Sequence, residues 1–183
     1  YYYQADLTNR SQLSRVLDEV RKDFGLLNGV IHTAGKLQDN FFIKKEADEF
    51  LSVLKPKTIG LVHLDELTRE DPLDFFVGFS STSSVFGNIG QTDYSLANGF
   101  IDEYLRGRAL LRQKGERNGT SISFNWGLWQ DGKMTIPEAL IKRLNRKFGL
   151  SPIELSSGLQ AFLQMLSTGD GQRVMVAGAP EKL

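Results

Sequence analysis

The sequence predicts an α/β fold in which a doubly wound parallel sheet carries helices on both faces. Three observations carry that prediction. Apolar segments of strand length alternate with amphipathic helical segments along the chain. The strand segments read as continuous apolar runs, the pattern of strands buried on both faces. Three of these runs end in unusual stretches, "HTAG" at 32–35, "SSTSS" at 80–84 and "NWGLW" at 125–129. Parallel sheets place their ligand crevice beyond such strand ends.

Each element has a local cause. "YYYQADL" has strand composition and stops at Thr8-Asn9, a helix cap. Leu13, Val16, Leu17, Val20 and Phe24 then recur at steps of three and four, so one stripe of a helix is apolar, and Gly25 ends it. "LNGVIHTAG" holds a short buried strand, Val30-Ile31, between Gly29 and Gly35. A second helical region covers about Glu46 to Thr68, where Pro56 predicts a break near Lys55 and a fresh helix beyond it. "LDFFVGFS" is the most strand-like segment and runs into a serine-rich loop. From about Gln91 to Gln113 the pattern is helical, with Ala97, Phe100, Ile101, Tyr104 and Leu105 on one side. "TSISFNWGLW" is a strand entering a loop. Ser151-Pro152-Ile153-Glu154 has the form of a capping box with proline at the first helical position. Leu155, Leu159, Phe162, Leu163 and Leu166 continue that helix, and "QRVMVAG" is a last strand.

The 183 residues suit one domain with a core of its own. Lys+Arg and Asp+Glu balance at 22 each, so charge provides no attraction to nucleic acid or to an anionic membrane surface. No run approaches the roughly 18 apolar residues of a membrane helix. With no cysteine, disulfides and thiolate metal sites are excluded, which fits a reducing cytoplasm. Two histidines without cysteine make a metal site unexpected, and His32 beside a buried strand reads as structural. The chain begins inside an aromatic run rather than at methionine and has no signal-peptide features, as expected of a fragment of something larger.

The chemistry-bearing stretch is "FSSTSSVFGNIGQTDYSLAN" from Phe79 to Asn98. Residues four apart share a helix face, so Tyr94 and Asn98 point the same way. The strand end at Ser80–Ser81 precedes that helix and can present a hydroxyl to Tyr94. A phenol with a reference pKa of about 10 is a poor proton carrier at neutral pH unless a cation lowers it. Lysine is the natural partner, but spacing does not choose among 22 basic residues. Taken alone, these residues also suit an ordinary loop and helix.

"VIHTAG", "FSSTSSVFGNIGQTDYSLANGFIDEYL" and "SFNWGLW" resemble, in order and over the whole chain, the ketoreductase domains of modular polyketide synthases. These are a Rossmann-like branch of the short-chain dehydrogenase/reductases. Most stand-alone relatives carry lysine where Asn98 stands. In the polyketide branch the lysine comes from the preceding helix, and "KPKTIGLVHLDELT" puts Lys57 in its place. The resemblance implies reduction by NADPH of a β-ketoacyl chain tethered to an acyl carrier protein, within a synthase of further domains. Tyr94 would be the general acid and Ser81 would fix the carbonyl oxygen. Lys57 would lower the Tyr94 pKa, and Asn98 would hold the lysine or a relay water. Ser81 alone has the family spacing to Tyr94; Ser80, Ser83 and Ser84 read as loop hydrogen-bonders.

For the cofactor, the resemblance implies Asp6 near the adenine, Thr33, Ala34 and Gly35 along the ribose, and Asn125, Trp126 and Gly127 beside the nicotinamide. Nothing reads as G-x-G-x-x-G, so residues 1–183 are expected to form a single catalytic domain that is N-terminally incomplete, lacking the first strands and glycine-rich loop. Activity would then need the upstream part. "KLQDN" stands where one stereochemical class carries Leu-Asp-Asp, with Asp39 as its last acid. Phe86 stands where the other class carries tryptophan. Together they imply D-configured alcohols, although Gln38 departs from the motif and Asp39 also suits a solvated loop. Met134, Ile136, Leu140 and Ile141, in a lid-like segment, would touch the acyl chain or form a small cluster of their own. An inactive structural or docking module is the alternative. A sugar-nucleotide epimerase or dehydratase would carry Tyr-x-x-x-Lys, against which Asn98 argues.

Overall fold

The computed structural model describes residues 1–132 and 136–182. In chain order the elements are α1 (Arg10–Phe24), β1 (Gly29–His32), a 3-10 turn (Phe42–Lys44), α2 (Ala47–Lys57), α3 (Ile59–Leu67), β2 (Phe75–Ser81), α4 (Thr82–Phe86), α5 (Thr92–Gln113), β3 (Thr120–Trp126), α6 (Glu138–Phe148), β4 (Leu150–Ser151), α7 (Leu155–Leu166), β5 (Gly171–Met175) and β6 (Ala177–Gly178), with a closing 3-10 turn (Pro180–Lys182).

Four strands form one parallel sheet in the order β1-β2-β3-β5. Side chains alternate between its faces. Phe76 of β2 joins Val30, Leu61, Leu73, Ile101 and Leu105 on the α3/α5 face. Val77 joins Ile122, Phe124, Trp126 and Ile153 on the other face, against which Phe162 of α7 packs. Each such buried side chain contributes about 1.5–3 kcal/mol. The predicted helix-covered parallel sheet is therefore the observed one. Gly78 lets α5 lie directly on β2: a Cβ there would meet Ile101 Cγ2 at 2.5 Å and Leu105 Cδ1 at 2.8 Å. At the opposite end of the sheet from the strand tips, buried Asp65 accepts from Arg108 Nε (2.6 Å), Arg117 Nε (3.1 Å) and Tyr104 (2.8 Å), tying α3 to α5.

The α1 signals act as read: the Asn9 side chain accepts from the Gln12 N–H, and Gly25 ends the helix at φ +85°. Other expectations shift. Residues 1–7 form no strand, because a strand exists only by pairing and nothing among the described residues pairs with them. Tyr1 instead lies edge-on to Phe24 with centroids 4.6 Å apart. The break expected near Lys55 falls at Thr58, since Pro56 is accommodated in the last turn of α2. The capping box does not form. Ser151 pairs with Ala177 in a small antiparallel ribbon, and Ile153 exchanges backbone bonds with the loop after β3. Helix α7 starts only at Leu155, on Glu154 without a side-chain cap bond. Long-range pairing has outcompeted a local cap. The serine-rich loop contains the short helix α4, and the lid-like segment contains α6, neither of which the sequence reading foresaw.

Candidate active site

Parallel strands bring the tips of β1, β2 and β3 to one edge, and the helices that follow bring the candidate residues to it. Ser81 closes β2 and caps α4, its hydroxyl oxygen accepting from the Ser83 N–H at 3.1 Å. Tyr94 and Asn98 stand one turn apart at the start of α5. Lys57 is the last residue of α2, where the Thr58 break turns the chain. Lys57, Ser81, Tyr94 and Asn98 therefore meet in one crevice, although they come from three elements.

Their electrostatics follow from burial. Lys57 is only 4% exposed, and its Nζ donates to the Phe79 carbonyl at 2.8 Å while standing 5.6 Å from the Tyr94 ring centroid. Burial lowers its pKa to about 8, with the Asp102 charge pulling upward. Burial pushes the Tyr94 phenol above its ordinary value; the Asn98 and Ser81 side chains pull it back, and the Asp39 charge adds to the rise. The expected lowering by Lys57 is thus not what the structure produces. Its ammonium is turned to the Phe79 carbonyl, and desolvation of the phenol prevails. Asn98 Nδ2 donates to the Tyr94 backbone carbonyl at 2.7 Å, and its buried Oδ1 has no partner among the described residues. An orphaned buried acceptor beside a phenol suits a polar ligand atom or a water.

Asp39 faces this crevice and accepts from Gln91 Nε2 at 2.9 Å. Phe86, 73% exposed, ends α4 at the crevice rim, where Val85 and Ile89 are also exposed. The Asn40 N–H donates to the Gly90 carbonyl at 3.0 Å and so joins the rim loops that follow β1 and α4. Met134 lies outside the described residues. Thr33, Ala34 and Gly35 follow the tip of β1, and Gly35 passes Lys57 closely: a Cβ there would stand 2.8 Å from Lys57 Cε. His32 is buried, and neither ring nitrogen has a hydrogen-bond partner among the described residues. Burial and the Lys57 charge lower its pKa to about 4, against a weak opposing pull from the Pro56 backbone, so it is neutral at physiological pH.

The strand after Thr120 divides its residues between two faces. Trp126 packs into the α7-side core, 4.7 Å from Trp129, and helps line an apolar cleft of about 400 Å³ with Ile31, Phe79, Leu155 and Phe162. Asn125 points the other way and is fully buried, with Nδ2 donating to Asp102 Oδ2 at 2.8 Å and to the Ser84 hydroxyl at 2.7 Å. Its amide nitrogen is committed to the scaffold, whereas its buried Oδ1 has no hydrogen-bond partner among the described residues. Gly127 donates its N–H to the Met175 carbonyl at 2.9 Å. Asp6 makes local contacts: it accepts from the Thr8 N–H and hydroxyl, both at 2.8 Å, which lower its pKa.

Two features went unnoticed in the sequence. Asp102 also accepts from Ser84 at 2.6 Å, from Gln172 at 3.2 Å and from Ser123, fastening α4, α5, β3 and β5 behind the crevice. Lys45 and Asp93 form a buried ion pair at 2.6 Å. The position of Asp93 immediately before Tyr94 is the one signal that pointed there.

The residues present suit the nicotinamide–ribose end of a dinucleotide: a phenol, an ammonium, an orphaned amide oxygen and a loop of small residues. A profile of the family described as "KR domain" matches residues 1–131. Polyketide synthase PksN of Bacillus subtilis (strain 168) is 40% identical over the whole chain, which spans 3% of that protein. Polyketide synthase ThaG of Burkholderia thailandensis is 40% identical over 97% of the chain, again 3% of its own length. Among solved structures, a ketoreductase domain from the bacillaene assembly line superposes with a TM-score of 0.95 at 40% identity, covering 99% of this chain and 43% of that one. An N-terminal ketoreductase from the macrolactin assembly line superposes at 0.86 with 35% identity, covering 100% and 34%. With this agreement of fold and sequence, the chain belongs to the KR domain family, the ketoreductase domains of polyketide synthases.

Proposed function

We propose that the chain is the catalytic part of a β-ketoacyl reductase that uses NADPH and acts, within a polyketide synthase, on an acyl chain carried by an acyl carrier protein. KR domains are short-chain dehydrogenase/reductases, which use a nicotinamide cofactor. The observation that carries the reading is the meeting of Lys57, Ser81, Tyr94 and Asn98 at one sheet edge.

In this reading the Ser81 hydroxyl and the Tyr94 phenol both hydrogen-bond the ketone oxygen. Such donors, fixed before reaction, favour the alkoxide as its charge develops. Tyr94 then transfers its proton to that oxygen. Its raised pKa keeps the phenol protonated at neutral pH, as a proton donor must be. Lys57, an ammonium below pH about 8, stabilises the phenolate left behind, and Asn98 Oδ1 accepts from the ammonium or from a relay water. Tyr94, Lys57 and the 33–35 loop would hold the cofactor, which when bound supplies the hydride to the β-carbon. Preference for NADPH over NADH, dependence on the upstream part of the domain with Asp6 at the adenine, a D-configured product set by Asp39, and a cytoplasmic site of action belong to the same proposal. The test is oxidation of NADPH by the complete domain with a β-ketoacyl thioester, compared with NADH and with the isolated 183 residues. Turnover by the complete domain that vanishes in Tyr94→Phe supports the reading, and turnover unchanged by that substitution refutes it.

A further inference from the structure

The loop between β1 and α2 borders the crevice and, apart from one 3-10 turn, has no regular structure to hold it. It is held by a buried charge. The side chains of Lys45 and Asp93 are 2% and 1% exposed, and the Lys45 ammonium donates both to Asp93 Oδ2 at 2.6 Å and to the Gln38 carbonyl at 2.5 Å. Gln38 is the neighbour of Asp39, and Asp93 is the neighbour of Tyr94. The other Asp93 oxygen accepts from the Tyr94 N–H at 2.9 Å. One ammonium thus bridges the loop that presents Asp39 and the helix turn that presents the proton donor. Two further contacts close the same seam: Gln91 Nε2 to Asp39 at 2.9 Å, and the Asn40 N–H to the Gly90 carbonyl at 3.0 Å. On the α2 side, Ser52 donates to Gln38 Oε1 at 2.6 Å.

A buried ion pair is a poor source of stability compared with apolar packing, because both charges are desolvated, but it is strict about geometry. Lysine at this place has two acceptors from two elements and one position that satisfies both. A ketone bound in the crevice has two faces, and a loop fastened beside Tyr94 limits which face can be presented to it. Resting on the ketoreductase reading, we propose that Lys45, with Asp93, is a specificity-determining positioning pair: it fixes the 36–45 loop relative to Tyr94 and thereby sets the stereoisomer formed.

The test uses the complete ketoreductase domain carrying Lys45→Met/Asp93→Asn, which neutralises both partners and keeps an acceptor for the Tyr94 N–H, and separately Lys45→Gln. Two quantities are read on folded protein: hydrogen exchange of the 36–45 peptide, and the ratio of stereoisomers formed from an α-methyl-β-ketoacyl thioester. Both variants are expected to lose exchange protection in that peptide. The isomer ratio should fall about tenfold, the scale of one lost pocket contact. Protection retained in either folded variant, or a ratio unchanged in either, overturns the proposal. The exchange readout needs no turnover, so a domain that reduces nothing would count against the ketoreductase reading while the bridge is still decided by exchange.

Discussion

The Lys57 ammonium stands 5.6 Å from the centre of the Tyr94 ring, yet its hydrogen bond runs to the Phe79 carbonyl at 2.8 Å. The two residues are neighbours without being directly bonded partners. Each therefore answers first to its own burial: the phenol is held protonated, and the ammonium is brought within reach of neutral pH.

Tyr94→Phe removes one hydroxyl and little else. Turnover by the complete domain is expected to fall by roughly 10²–10⁴, the contribution of a positioned proton donor. Thermal melting should stay close to that of the parent, since the ring and the backbone bond to Asn98 remain. Steady-state kinetics and a melt on the same sample check both.

Lys57 makes turnover sensitive to alkali. With its pKa at about 8, the ammonium is present at pH 7 and disappears above pH 8, so kcat should decline there, and Lys57→Met should lose that decline along with most activity. The stability sign runs the other way. The folded pKa lies below the ordinary 10.5, so the unfolded chain binds the proton more tightly between pH 8 and 10.5, and this group favours folding increasingly as pH rises through that window. Below it, the buried charge costs on the order of 3 kcal/mol. Denaturant melts of Lys57→Met at pH 7 should show a gain in stability, shrinking toward pH 10.

His32 should govern part of the acid limb. Its folded pKa of about 4 lies below the ordinary 6.5, so the unfolded chain takes up the proton first. Stability falls as pH drops from 6.5 to 4, by on the order of 3 kcal/mol from this residue. His32→Gln is expected to flatten that part of the curve, measured by chemical denaturation at stepwise pH.

Gly35→Ala tests the approach of the 33–35 loop to the ammonium. The new methyl would stand 2.8 Å from Lys57 Cε, the far part of a flexible side chain. The lysine can yield, so the melt should change little, whereas turnover should drop by about tenfold or more as Nζ leaves its place. Kinetics alongside thermal melting separate the two effects.

Asp102→Ala would leave the side chains of Ser84, Ser123 and Asn125 without their shared acceptor behind the crevice. A loss of about 3 kcal/mol is expected, as for donors deprived of a charged partner. Because Asn125 also donates to the Ser81 carbonyl, and Ser80 to that of Asn98, turnover should fall even where the fold survives. Denaturant melts with kinetics at permissive temperature check this.

Local features were legible because their causes are local. The Asn9 and Gly25 boundaries of α1, the apolar runs that became β1, β2, β3 and β5, and the shared helix face of Tyr94 and Asn98 all follow from spacing and cap chemistry. The choice of Lys57 over other basic residues came from the family pattern, not from spacing. Tertiary structure alone decided the rest. Residues 1–7 had strand composition but pair with nothing among the described residues, and Ser151 had a cap motif but a better partner in Ala177. The pKa direction at Tyr94 depended on how much water its neighbours exclude, and the Lys45–Asp93 bridge joins residues 48 positions apart. Periodicity and caps act over a few residues, whereas desolvation and strand pairing depend on groups that only folding brings together.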